Sequence, residues 1–275
     1  MSTLHRTLIL AAIVFAPSVA SAERCSRGRA GVPLPIALTM GPADFGTTPS
    51  PCSDPRISLD LRATALIDTA DFYGALGADA VLSGTVPLTS RLWLSGAFTV
   101  VRYRYAQNAT LIASDMGLGP SDLGLHVGVI TRDELRVSTY LRVLLPTETP
   151  TQYALRTGFE AGVAAMWRPR SRLTLLGGLS VPVELSFLGG HGLAYGGVRA
   201  SIDATYLVGT WFEPVLGLEA RIGNDPDGAL EYVAPRLSLR AHLGRSVGIH
   251  LTGMAPLGGI ERTNARVSLG AWVGF

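Results

Sequence analysis

From Arg56 to the last residue, apolar and polar side chains alternate with period two, the spacing that places neighbours on opposite faces of a β-strand. Twelve segments carry the pattern: 57–67, 73–86, 91–105, 122–131, 135–145, 156–168, 172–185, 194–207, 210–222, 231–243, 246–257 and 265–275. Short turns are expected at Pro87-Leu88-Thr89-Ser90, Arg132-Asp133-Glu134, Pro169-Arg170-Ser171, Val208-Gly209 and Gly244-Arg245. Longer links, 106–121, 146–155, 186–193, 223–230 and 258–264, alternate with them. Only the first hairpin, at Asp68–Phe72, is short where a longer loop is due.

Within the segments, aliphatic residues share one face and charges take the other. Asp60 and Arg62 oppose Leu59 and Leu61, His126 sits between Leu125 and Val127, and Arg136, Tyr140 and Arg142 alternate with Val137, Leu141 and Val143. Glu160 and Glu184 lie opposite Phe159 and Val183, and Arg199 and Asp203 interleave with Val198 and Ile202. Glu213, Glu219 and Arg221 share a phase, as do Arg236, Arg240 and His242, while His250 alternates with Ile249 and Leu251. A soluble sandwich also alternates, but it buries only one face per sheet and needs no uniform strand length. A lipid-facing charge costs about 2–4 kcal/mol at the midplane of a bilayer, so segregation in strand after strand is what lipid selects. An even strand number closes an antiparallel sheet without a free edge. The expected fold is all-β: a transmembrane, antiparallel, up-and-down β-barrel of about twelve strands, with an irregular arm before it.

The last ten residues sharpen this. Val267, Leu269, Ala271, Val273 and Phe275 fall on one face, and Arg266, Ser268, Gly270, Trp272 and Gly274 on the other. Ending on an aromatic residue, the segment resembles the closing strand of a bacterial outer-membrane β-barrel. The resemblance implies an outer-membrane location with both termini on the periplasmic side, and outer-membrane lipid around the barrel. It also implies recognition by the barrel-assembly machinery through the strand that ends at Phe275.

The beginning of the chain agrees. His5 and Arg6, the apolar run Leu8 to Phe15 and the small residues Ala20-Ser21-Ala22 read as a signal peptide cleaved near Ala22. The apolar run is too short for a membrane-spanning helix, and nothing downstream offers eighteen uninterrupted apolar residues. Residues 23–56 are rich in Pro, Gly and Ser and show no period, an arm that either hangs in the periplasm or folds into the barrel mouth. Both cysteines, Cys25 and Cys52, lie in it, and in an oxidising compartment they are expected to form a disulfide. Free thiols are the alternative. Residues 22–24, Ala-Glu-Arg, are too polar and too large for lipidation of Cys25.

All 23 basic residues are arginine, and net charge is near balance, so nothing points to nucleic acid. The candidate lumen lining is Asp60, Arg62, His126, Arg136, Tyr140, Arg142, Glu160, Glu184, Arg199, Asp203, Glu213, Glu219, Arg221, Arg236, Arg240, His242, His250 and Arg266. Two readings stay open. Arginines of 135–145 and 231–243 attract an anionic or carboxylated solute, or arginine and carboxylate pair bidentately and fill a narrow bore. A lipid-modifying enzyme needs a His-Ser pair facing the membrane, whereas His126, His242 and His250 take the lumen phase and His191 falls in an outer loop without a base partner. No catalytic residue, cofactor or metal site is expected. Asn224-Asp225-Pro226-Asp227-Gly228 reads as a polar turn, because Arg236 stands where a calcium loop needs its bidentate acid. Gly117-Leu118-Gly119 lacks the third glycine and the helix of a dinucleotide site.

Gly119-Pro120-Ser121-Asp122-Leu123-Gly124-Leu125, followed by Leu144-Leu145-Pro146-Thr147, is similar to the outer-membrane transporters of the meta-pathway phenol-degradation type. Those proteins carry a Gly-Asp-Leu strand start and a Leu-Pro-Thr-Gly strand end. Here Ser121 and Glu148 replace two of the glycines. The resemblance implies a barrel of comparable size and uptake of small, aromatic or apolar molecules. The expected function is therefore passive passage of a small, unidentified solute through a charged lumen. The alternative is a structural or surface-interaction barrel sealed by its ion pairs.

Overall fold

The computed structural model describes residues 49–53, 55–68, 73–107, 112–147, 155–188, 191–225, 228–244, 247–255, 257 and 265–274. Cys25 and Phe275 lie outside them. The strands are β1 (Arg56–Asp68), β2 (Tyr73–Pro87), β3 (Leu92–Gln107), β4 (Ile112–Gly117), β5 (Ser121–Thr131), β6 (Leu135–Leu145) and β7 (Leu155–Arg170). They continue as β8 (Leu173–Leu188), β9 (His191–Tyr206), β10 (Phe212–Asp225), β11 (Gly228–His242), β12 (Val247–Met254) and β13 (Ala265–Gly274).

Every pairing is antiparallel, and the ring closes where β13 pairs with β1, Leu61 opposite Ala271. β4 and β5 pair with successive halves of β3, β4 with Arg102–Gln107 and β5 with Leu92–Phe98. They occupy one position, so the barrel is closed and twelve-stranded, as the pattern predicts. The two faces separate sharply: Leu141 is 47 % exposed, whereas Arg142 beside it is 5 % exposed.

The link 106–121, expected as a long loop, instead contains β4. The chain breaks stride at 118–120, where the Gly119 N–H donates to the Thr99 carbonyl at 3.0 Å. Gly119, Pro120 and Ser121 are all buried, so the strand steps inward there. A Cβ on Gly119 would lie 2.5 Å from Thr99 Cγ2, and Pro120 has no N–H for the ladder.

Two other expected links are also mostly strand. Leu188 pairs with His191, and Asp225 with Gly228, so the links 186–193 and 223–230 are tight hairpin ends. His191 thus begins β9 rather than sitting in a loop. A tilted strand needs about 9–11 residues to cross the hydrocarbon, and β7, β8 and β9, each 16 residues, extend past it.

β3 holds a bulge. Ala80 faces Val101 but Val81 faces Thr99, leaving Val100 unpaired with β2. Val100 and Val101 consequently both face outward, and Thr99 and Arg102 both face the lumen.

Candidate functional site

The lumen is built from alternate residues of the strands other than β4, and its centre is a hydrogen-bonded belt of charges. Glu160 on β7 is the hub. It accepts from Arg142 on β6 through Nε (2.9 Å) and through Nη2, from Ser180 Oγ on β8 (2.6 Å) and from Tyr140 Oη (3.4 Å). Arg199 on β9 pairs with Glu160 at 3.6 Å, reaching over β8, where the facing residue is the small Ser180.

Arg199 also donates to Glu219 on β10 at 3.3 Å. Glu219 in turn takes Arg221 Nε at 3.0 Å and lies 3.8 Å from Arg236 Nη1. Arg236 on β11 then donates to Asp203 at 2.6 Å. One continuous chain of opposite charges thus runs from β6 to β11. Gly217 makes room for it: a Cβ there would collide with Asp203 Oδ1 and come within 3.1 Å of Arg236 Nε.

The belt extends both ways. Toward β3, the His126 ring stacks on Trp93 at 5.3 Å, tilts against Tyr140 and bonds Ser95 Oγ at 2.7 Å. Toward β1, Glu213 holds His242 (2.7 Å) and Arg240 (3.6 Å). Trp272 lies between the rings of His242 (5.4 Å) and His250 (6.1 Å). His250 reaches Asp60 at 3.2 Å across Gly270, where a side chain would meet the imidazole. Asp60 also accepts from Arg62 Nε at 2.7 Å.

Apart from Arg266, the side chains of the sequence-predicted set turn inward from their strands. Arg136 is buried and sits 3.6 Å from the exposed Asp133, Glu184 is buried on β8, and the Arg266 side chain lies outside the described residues. Sequence reasoning missed Asp79 and Arg102, a buried pair at 3.2 Å, and the lumen-facing Trp93, Thr99 and Met166. For Arg102 the signal was the Val100-Val101 doublet, which breaks period two just before a charge that cannot face lipid. Among the described residues no group of three His, Cys, Asp or Glu is placed to hold a metal ion.

The lining is tightly enclosed. Asp60, His126 and Glu160 are 0 % exposed. The arm contributes at the end of the barrel bearing the β7–β8 turn, where Cys52 packs on Met166 with sulfurs 3.9 Å apart and Leu176 alongside. Twelve strands about 4.8 Å apart and tilted about 40° form a cylinder of about 12 Å radius. From Cys52 to the start of β1 is four residues, at most about 14 Å. β7 stands almost opposite β1 in the ring. Cys52 therefore sits inside the mouth, away from the wall at β1.

The two short motifs meet in space. Ser121 and Asp122 on β5 pair with Leu145 and Leu144 on β6, and Thr147 Oγ1 donates to the Gly119 carbonyl at 2.9 Å.

Solved structures of the same fold are outer-membrane barrels. The COG4313 outer membrane channel from Pseudomonas putida F1 superposes with a TM-score of 0.63 at 12 % identity, over 86 % of this chain and 100 % of that one. The beta domain of the Bordetella autotransporter Brka gives 0.53 at 11 % identity, over 80 % and 99 % of the two chains. The KdgM porin in complex with disordered oligogalacturonate gives 0.50 at 9 % identity, over 79 % and 99 %. No protein-family model matches the chain, and no curated protein matches it in sequence.

Proposed function

We propose that this barrel is a passive channel of the bacterial outer membrane, that a small solute crosses it along the charged lumen, and that the enclosed arrangement described is its closed state. The observation that carries the reading is the segregation of charge into the interior of a closed barrel. A merely structural barrel needs no belt of eight buried arginines (Arg62, Arg102, Arg136, Arg142, Arg199, Arg221, Arg236 and Arg240) when apolar packing fills a core with less desolvation cost. Likeness in fold to a channel over that channel's whole length supports it. The adjoining motifs at Gly119 and Leu145, similar to the meta-pathway phenol-degradation transporters, support a small organic solute.

Opening requires the guanidinium side chains to swing along the wall and the segment before β1 to leave the mouth. A disulfide between Cys25 and Cys52 would close the arm into a loop and limit how far it moves. A signal peptide ending near Ala22 delivers the chain, the terminal strand with Phe275 engages the assembly machinery, and lipid covers the aliphatic face.

One observation favours a second reading, a barrel sealed by its ion pairs: the complete burial of Asp60, His126 and Glu160. Swelling of proteoliposomes in small solutes separates the two. A channel admits solutes up to a sharp size limit, and a folded barrel that admits none overturns the proposal.

A further inference from the structure

Arg62 stands apart in the lumen. Its Nε is committed to Asp60 Oδ2 at 2.7 Å, yet both terminal nitrogens, Nη1 and Nη2, are enclosed without a hydrogen-bond partner. No other described arginine leaves both Nη atoms enclosed in this way. The nearby acids are engaged: the second oxygen of Asp60 bonds His250 Nε2 at 3.2 Å, and Asp79, opposite Arg62 in the β1–β2 register, accepts from Arg102 at 3.2 Å.

Other polar atoms without partners lie close by in register. Arg62 faces Gly270 on β13, and the next lumen position on that strand is Ser268, whose Oγ is buried without a partner. His250, opposite Gly270 from the other side, has a buried Nδ1 in the same condition. The two enclosed Nη groups of Arg62 are donors and call for an acceptor. The Nη edge of a guanidinium offers parallel N–H bonds that match the two oxygens of one carboxylate, whereas a halide offers a single acceptor.

We propose that Arg62, with Ser268 one lumen position along the adjoining strand, is a binding point for a carboxylate group, and that the solute of the channel is a small carboxylate. The second clause rests on the channel reading; the binding point does not.

Acetate titrated calorimetrically into the whole protein in detergent, against a chloride background of equal ionic strength, tests it. Saturable acetate binding is expected, weakened at least tenfold in Arg62→Gln and severalfold in Ser268→Ala, and unchanged in Arg91→Gln, whose side chain is exposed between β2 and β3. Heat-modifiable mobility on gels reports the fold of each variant. If Arg62→Gln does not fold, Arg62→Lys and Ser268→Ala decide, since lysine keeps the charge but loses the fork and must still bind acetate more weakly. Equal binding in wild type and variants, or no acetate binding beyond that of chloride, overturns the proposal. Acetate binding by a barrel that admits no solute would contradict the channel while leaving the binding point standing. A conducting barrel indifferent to acetate would do the reverse.

Discussion

Glu160 is the residue on which the belt depends most. It satisfies two arginines from strands on either side of β7, together with a serine hydroxyl and a phenol. Removing one partner of a buried ion pair leaves the other charge uncompensated, a loss of about 3–5 kcal/mol. Glu160→Gln keeps the shape and the hydrogen-bonding oxygen but not the charge, so about 3 kcal/mol is expected, read as a lowered guanidinium midpoint in detergent. Most members of the belt were legible because a charge between two aliphatic residues in a strand centre has only one face open to it. Asp79 was harder to phase, since its strand is rich in Gly and Ala and both faces look alike. Arg102 was hidden because the bulge at Val100 inverts the alternation beyond it. Partners were not legible: nothing in the sequence says that Arg199 reaches over β8 to Glu160.

At the level of elements, the interruption between β4 and β5 is the main departure from the expected strand pattern. Six residues of strand lie within a stretch whose Ser, Asp, Gly and Pro read as loop, and period two over so short a run is a weak signal. Gly119 is what lets the strand step inward against Thr99. Gly119→Val forces an isopropyl group into that contact and is expected to cost about 1–3 kcal/mol, as overpacking does. Reduced heat-modifiable folding and a lower midpoint measure it; an unchanged midpoint would mean that the step inward does not need the glycine. The hairpin ends at Leu188–His191 and Asp225–Gly228 escaped the sequence for a different reason. Beyond the hydrocarbon neither face is required to be apolar, so the alternation fades before the ladder ends. The arm is the other element whose behaviour can be measured. If Cys25 and Cys52 are bridged, a maleimide reagent labels neither in the unfolded, unreduced protein and both after reduction. Labelling before reduction would show that the arm forms no covalent loop.

For the whole molecule, the alternation of polar and apolar positions was enough to give strand number, closure and the sidedness of the wall. These are the properties that lipid and a closed antiparallel sheet impose on every strand alike. What fills the bore depends on the lengths of opposed side chains and on the course of the arm, which no periodicity encodes. Planar-bilayer recording of the purified barrel decides whether the charged interior is a path or a plug. Wild-type protein should give discrete conductance steps. In a potassium chloride gradient, Glu213→Gln should shift the reversal potential toward anion preference and Arg221→Gln toward cation preference. A correctly folded barrel that stays silent at every voltage, or whose reversal potential ignores both substitutions, would contradict the path.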